Sequence, residues 1–365
     1  MLDAGCSTND SSDFRLPTAA RTAASTYNCD VNVSELGEFG LIARLRATLP
    51  RADGMRLLLG AGDDAAVWRR GDGYAMATTD TMVAGTHFLP GKVDWRDVGW
   101  KALATNISDI AAMGGTPTFA LITLCLPPDA AVAAIDELYA GLRECAAAFG
   151  VTIAGGDIVS SPVFTITIAL TGTAAIDAGG APLLLRRDAA AAGNIVAVSG
   201  ALGGSAGGLR LLLAGSAATS EVERLLARRH MRPVPRVDVG HAAIVSGVRC
   251  GMDISDGLVQ DLGHICEASG LAAELWLGRV PADAALATRF PDEAAMLAAT
   301  GGEDYELLLV GDEDALARTS AALPAPLVIV GRMLEGEPRV RVLDERGAEI
   351  ELPARGWDHL SSVRR

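Results

Sequence analysis

Hydrophobic and polar positions divide this chain into short strand-like runs separated by longer helical ones. Phe39, Ile42, Leu45 and Leu49 follow a helical spacing that Pro50 ends. Strand-like runs come next at Leu57 to Gly60, Tyr74 to Thr78, Phe119 to Leu126 and, in strict alternation, Val163 to Thr173. Between them the spacing predicts two helices, Trp95 to Met113 and Asp129 to Phe149, the second closed by Gly150. Farther on it predicts a strand at Ile195 to Ser199 and a helix from Gly203 to Leu213, opened by a glycine-rich turn. Helices at 219–229, 236–246 and 257–268 and strands at 271–276, 305–310, 327–331 and 339–343 complete the pattern. Strands alternating with helices indicate mixed α/β architecture in both halves.

A length of 365 residues suits two domains of about 150 residues each. The expected boundaries are an N-terminal α/β domain at 34–175, a linker at 176–193 containing Gly-Gly, Pro and an alanine tract, and a C-terminal α/β domain at 194–365. Residues 1–33 are rich in Ser, Thr, Ala and Asp and lack the basic start and apolar core of a signal peptide. They read as a disordered extension or a misassigned start. No apolar stretch of about 20 residues predicts a membrane span. A net charge of −14 argues against a nucleic-acid partner, because phosphate backbones are held by stripes of lysine and arginine. The cysteines show no CxxC pairs and sit mostly in apolar runs, which predicts buried thiols in a reduced, cytoplasmic protein.

Candidate chemistry concentrates in five acidic segments: Gly62-Asp63-Asp64, Thr78-Thr79-Asp80, Asn106-Ile107-Ser108-Asp109, Gly155-Gly156-Asp157 and Asp253-Ile254-Ser255-Asp256. Each sets a carboxylate beside Gly, Ser, Thr or Asn at the end of an apolar run. Two unit charges about 4 Å apart repel by roughly 4 kcal/mol at an effective dielectric near 20, so convergence of these segments requires a cation among them. Hard oxygen donors suit magnesium together with phosphates. Taken singly, an acidic turn explains Gly62-Asp63-Asp64 or Gly155-Gly156-Asp157 equally well, and helix capping by Ser255 or Asp256 explains one residue of the last segment. Asn106 and Asp109 share a helix face near a C-terminus, where the dipole opposes a carboxylate. The turn Gly203 to Gly208 serves either phosphate cradling or close helix packing. Thr300 to Glu306 sets Glu303, Asp304 and Glu306 beside paired glycines. No glycine-rich loop ending in Gly-Lys-Ser/Thr and no Gly-x-Ser-x-Gly is present. The histidines lack metal-ligand spacing, and of them only His87 stands near the acidic segments.

Set in order, these motifs resemble the thiamine-monophosphate kinase family of the aminoimidazole-ribonucleotide synthetase-like superfamily. The resemblance runs from Gly37-Glu38-Phe39-Gly40 through the five segments, Gly301-Gly302-Glu303-Asp304-Tyr305-Glu306 and Gly356-Trp357-Asp358-His359, covering nearly everything after residue 36. It implies two mixed α/β domains of that superfamily's type, with the N-terminal domain pairing across a homodimer. It also implies transfer of the ATP γ-phosphoryl group to thiamine monophosphate, with Mg2+ as cofactor and no nucleic-acid or membrane partner. By the same resemblance Asp64, Thr78, Thr79, Asp80, Asp109, Asp157, Asp253 and Asp256 hold magnesium. Gly156, Asp157, Arg187 and Ser255 meet the nucleotide, and His87, Glu303 and Trp357 meet the thiamine end. Asp80, Asp109, Asp157 and Arg187 carry the catalysis, the aspartates as metal scaffolding and Arg187 as a charge stabiliser. Ala189 to Asn194 departs from the family's Lys-Pro-Gly-Asp turn. Selenophosphate synthetase, of the same superfamily, would need a Cys in a Gly- and Lys-bearing setting, which neither Cys6 nor Cys29 has. A non-catalytic binder of magnesium-nucleotide is the reading from another class, and intact acids at every matched position weigh against it.

Overall fold

The structure, a computed structural model, describes residues 32–49, 52–215, 218–352 and 356. All of the expected extension except Asn32 and Val33 lies outside these, as do Pro50 and the candidate Trp357. Helix α1 (Val33–Arg46) opens the described chain and breaks at Gly37, whose φ of 70° and ψ of 175° no helix contains. It ends three residues before Leu49, and its apolar positions Ile42 and Leu45 are exposed.

The first sheet contains β1 (Leu57–Leu59), β2 (Ala66–Arg70), β3 (Gly73–Val83), β4 (Thr116–Leu126), β5 (Thr152–Ser160), β6 (Thr165–Ile176) and β7 (Pro182–Leu183). Their order is β1-β2-β3-β6-β4-β5, with β7 pairing β6 from within the segment expected to be a linker. Helices α2 (Trp95–Ala112) and α3 (Val132–Phe149) cover one face. Side-chain alternation along the strands decides which residues meet them. Ala120, Ile122 and Leu124 of β4 and Ile166, Ile168 and Leu170 of β6 are buried, while Phe119 and Leu121 point to the exposed outer face. The two helices approach closely because glycines face each other's backbone. A Cβ on Gly141 would stand 1.7 Å from the Arg96 carbonyl oxygen, and one on Gly99 would stand 2.0 Å from that of Leu138.

The second sheet has the order β13-β10-β12-β8-β11-β9. It comprises β8 (Ile195–Val198), β9 (Cys250–Asp253), β10 (Ala272–Trp276), β11 (Leu307–Gly311), β12 (Val328–Leu334) and β13 (Arg339–Leu343). Around it lie α4 (Gly204–Leu213), α5 (Glu221–Met231), α6 (Val237–Ser246), α7 (Leu258–Ser269), α8 (Ala284–Arg289), α9 (Ala294–Thr300) and α10 (Glu313–Ala321). Ser220 opens α5 with a capping box whose return partner is Glu223. The two halves share packing: Ala112 of α2 lies in one apolar cluster with Leu185, Val239, Ala243, Ile244 and Leu307. Helix α2 is therefore buried on most sides, with the first sheet against one flank and α6 and β9 against another. No helix among the described residues is long and apolar enough to cross a membrane.

Two elements differ from the sequence expectation in ways that bear on function. The segment Thr78-Thr79-Asp80 lies inside β3, not in a loop after it, because β3 is paired along its length to β6. Likewise Gly155-Gly156-Asp157 lies inside β5, held in parallel register by β4 despite its glycines. Strands β2, β5, β7 and β9 and helices α8, α9 and α10 were not expected from the spacing.

Candidate active site between the two domains

Carboxylates from three distant segments meet at the end of α2. Asp64 follows β1, Asp109 lies near the C-terminus of α2 and Asp253 ends β9. Their ligand atoms all lie within 4.8 Å of one another. Each is held by a named contact. Arg187, from the segment joining the domains, pairs with Asp64, and its backbone N–H donates to Asp63 Oδ1 at 3.2 Å. Thr78 donates its hydroxyl to Asp109 Oδ2, and Ser108, one residue along α2, donates to Asp253 Oδ2 at 2.5 Å, bridging the domains. Strand alternation puts Thr78 and Asp80 on the helix side of β3 and Thr79 on the other. The Asp80 N–H donates to Asn106 Oδ1 at 3.1 Å, so Asn106 serves to register β3 against α2.

Arg187 does not balance this much negative charge. Burial, then Asp80, Asp253 and Asp64, push the Asp109 carboxyl well above its ordinary value. Burial and Asp64 raise Asp253. Burial and Asp64 also push Asp63 up to about 7. Asp64 Oδ2 is buried without a hydrogen-bond partner. Crowded oxygens, raised pKa values and an orphaned acceptor together describe a site shaped for a hard cation.

Beside this cluster, Asp253-Ile254-Ser255-Asp256 leads into α7 in an unexpected manner. The N-cap is Gly257, at a φ of 118°, where a Cβ would stand 2.7 Å from the Thr300 carbonyl oxygen. Capping is done by Asp261, inside the helix, whose Oδ2 accepts from the N–H groups of Ser255, Asp256 and Gly257 at 3.1 to 3.2 Å. Capping therefore uses neither the Ser255 nor the Asp256 side chain. Asp256 groups with Asp261 and His264, not with Asp64, Asp109 and Asp253. Gly356, the residue before Trp357, packs against this turn: a Cβ there would stand 2.7 Å from the Asp256 carbonyl oxygen.

The acids of the segment Thr300 to Glu306 separate into three roles. Glu306 pairs with Arg236 and accepts from Ser199 at 2.5 Å. Asp304 accepts from the N–H groups of Gly203 and Ser205 at 2.6 and 3.1 Å. The glycine-rich turn at the start of α4 is thus filled by an internal carboxylate and is not a phosphate cradle. Glu303, at a φ of 66°, turns toward the cleft. Its Oε1 lies 2.9 Å from Lys101 Nζ and its Oε2 lies 3.4 Å from His230 Nδ1. The Lys101 ammonium lowers the Glu303 pKa against the opposing effect of burial. The Val83 N–H donates to His87 Nδ1 at 3.1 Å, which places the proton of the neutral imidazole on Nε2.

Gly156 and Asp157 stand apart from the converging carboxylates. They line a groove of about 490 Å³ with Ile122, Tyr139, Ile153 and Ile158, between α3 and β5, and Asp157 Oδ1 accepts from the Ile158 N–H at 2.9 Å. Sequence reasoning did not single out Tyr139, Lys101, His230 or Asp261. A lysine inside an apolar helix was the one available signal for Lys101, and its partner stands in the other domain.

Two family matches cover the two halves of this cleft. Residues 62–176 match AIR synthase related protein, N-terminal domain, and residues 191–343 match AIR synthase related protein, C-terminal domain. The fold is that of this class. Thiamine-monophosphate kinase of Mycobacterium tuberculosis is 37% identical over 317 residues, which span 85% of this chain and 89% of the relative. The enzyme of the same name from Escherichia coli is 35% identical over 335 residues, 89% of this chain and 99% of the relative. The structure of AaThiL complexed with AMPPCP and TMP is 34% identical with a TM-score of 0.79, covering 90% of this chain and 99% of that one. The chain belongs to the thiamine-monophosphate kinase family.

Proposed function

We propose that this chain transfers the γ-phosphoryl group of ATP to thiamine monophosphate, yielding thiamine diphosphate and ADP. The observation that carries the proposal is the convergence of Asp64, Asp109 and Asp253, with Asp64 Oδ2 left unpartnered. The all-oxygen donor set fits magnesium. Asp64, Asp109 and Asp253 would hold one such ion, and Thr78, Thr79, Asp80, Asp157 and Asp256 would serve further ions, as the family resemblance implies. Magnesium, when bound, supplies positive charge against two polyanionic substrates.

The rest falls to the chain's own side chains. Arg187, anchored on Asp64, stabilises charge on the transferring group. Gly156, Asp157, Arg187 and Ser255 bind the nucleotide, and the groove beside Tyr139 has the size of a small-molecule site. His87, Glu303 and Trp357 bind the thiamine end. A phosphate oxygen of thiamine monophosphate attacks in line, so no protein nucleophile is needed. Support comes from the ligands of AaThiL, AMPPCP and TMP, the first an ATP analogue that cannot donate its γ-phosphoryl group. Homodimer pairing is supported by the outer face of the first sheet, where Phe119 and Leu121 are exposed, and by the bare edge strand β5. A cytoplasmic setting is supported by the free thiols of Cys125, Cys145, Cys250 and Cys266.

The test is ADP release and thiamine diphosphate formation on adding thiamine monophosphate to enzyme, ATP and magnesium. ADP release that ignores thiamine monophosphate overturns the reading. A chirally labelled γ-phosphate should emerge inverted, and retention would reveal a phosphorylated enzyme.

A further inference from the structure

We infer that Lys101 is a positioning residue for acceptor recognition: its buried ammonium fixes the Glu303 carboxylate as a hydrogen-bond acceptor for the amino-bearing ring of the substrate. The inference rests on the reading of thiamine monophosphate as acceptor. Lys101 is 1% exposed, and apart from the ion pair with Glu303 no hydrogen-bond acceptor reaches its Nζ among the described residues. A lysine so placed is costly to bury and is tolerated only with an anion beside it. That anion is Glu303, whose side chain keeps 30% exposure. Its loop is rigid: the Glu303 N–H donates to the Ser255 carbonyl at 2.7 Å and the Tyr305 N–H to the Ile254 carbonyl at 2.9 Å, across two non-glycine residues with positive φ.

The pair has a chemical consequence. Burial alone would raise the Glu303 pKa, and the Lys101 ammonium more than offsets it. His230 does not share the task equally, since burial and Lys101 push it down to about 3 and leave it neutral. An ionised carboxylate only accepts hydrogen bonds. Paired with an ammonium, it carries no net charge, so it selects an N–H donor over a bare cation. The aminopyrimidine of thiamine carries such a donor, whereas its thiazolium does not. Lys101 also shares a face of α2 with Ser108 and Asp109, seven and eight positions on, about 11 to 12 Å along the axis at 1.5 Å per residue. One rigid helix then sets the span between the ring end of the acceptor and the carboxylates that handle its phosphate.

Steady-state kinetics of Lys101→Met, Lys101→Arg, Glu303→Gln and the Lys101→Met/Glu303→Gln double variant test this. Wild-type turnover of thiamine monophosphate comes first: its absence defeats the functional reading itself, before any variant is made. With turnover present, Lys101→Met should raise KM for thiamine monophosphate by roughly tenfold or more, the worth of a charge-assisted hydrogen bond. KM for ATP and kcat should stay within about twofold, as for lost binding common to ground and transition states. Lys101→Arg should restore part of the affinity, and the double variant should match Glu303→Gln. A fall in kcat with unchanged KM, an equal rise of both KM values, no recovery with arginine, or additive losses in the double variant would overturn the inference. Should Lys101→Met fail to fold, the double variant leaves no unpaired charge and carries the same comparison with Glu303→Gln alone.

Discussion

Two groups of buried carboxylates flank the same helix and behave in opposite ways. At the C-terminal end of α2, Asp109 and Asp253 are driven up in pKa by burial and by neighbouring aspartates, Asp64 and Asp80 among them. Two turns earlier, Glu303 is also drawn out of water, yet its pKa is lowered. The difference lies in the counter-charge. The aspartate cluster has Arg187 on Asp64 and is otherwise surrounded by more carboxylates, whereas Glu303 has Lys101 at 2.9 Å. One group is a receptor for a cation from solution and the other has its cation built into the fold. The same physics thus separates a metal site from a recognition site within one helix length.

The largest expected effect breaks the first half of that contrast. Asp109→Asn removes charge that metal and phosphate binding use, and turnover should fall on the order of a thousandfold, equivalent to about 4 kcal/mol at 1.36 kcal/mol per decade. Its Tm in metal-free buffer should hold or rise, because an uncompensated carboxylate has been neutralised. Near-normal turnover in the coupled ADP assay would remove Asp109 from the metal site. Glu303→Ala should do the reverse to stability. Lys101 would be left buried and unpaired, at a cost of roughly 3 to 5 kcal/mol, visible as a lower urea midpoint. An unchanged midpoint would mean that Lys101 finds another partner and that the built-in counter-ion is dispensable.

Sequence reasoning reached these two groups to different depths. Asp64, Asp109 and Asp253 were legible because each sits in a short acidic motif, and such motifs are local. That Asp80 and Gly155-Gly156-Asp157 lie within strands was not legible, since long-range pairing with β6 and β4 overrides the loop character of Asp and Gly. The role of the turn at Gly203 was open in the sequence because its answer, Asp304, stands in a different segment. Lys101 was hidden for the same reason: nothing near it in the chain says that its helix will be walled in on several sides. Trp357 lies outside the described residues, and its part in acceptor binding rests on the family resemblance.

The smallest effect, and the one that sharpens the comparison most directly, is the interplay of pH and magnesium. Asp63, Asp109 and Asp253 all have pKa values above the ordinary 3.8, near 7 for Asp63. A carboxyl with a higher pKa in the fold binds its proton more tightly there than in the unfolded chain. Stability therefore falls as pH rises from about 4 through the folded value, and the full penalty applies above it. Metal-free enzyme should have a higher Tm at pH 6 than at pH 8, by about 1 to 2 °C for each ~1 kcal/mol at this chain length. Magnesium binds the ionised carboxylates and so should raise Tm more at pH 8 than at pH 6, narrowing the gap. Glu303 should add nothing to this gap, because its lowered pKa puts its own contribution below pH 5, where stability is lost as pH falls. Thermal melts at the two pH values, with magnesium and with chelator, decide the matter. A metal-free Tm that rises from pH 6 to pH 8 would mean that the aspartates are already compensated, and that the contrast with Glu303 is not one of missing charge.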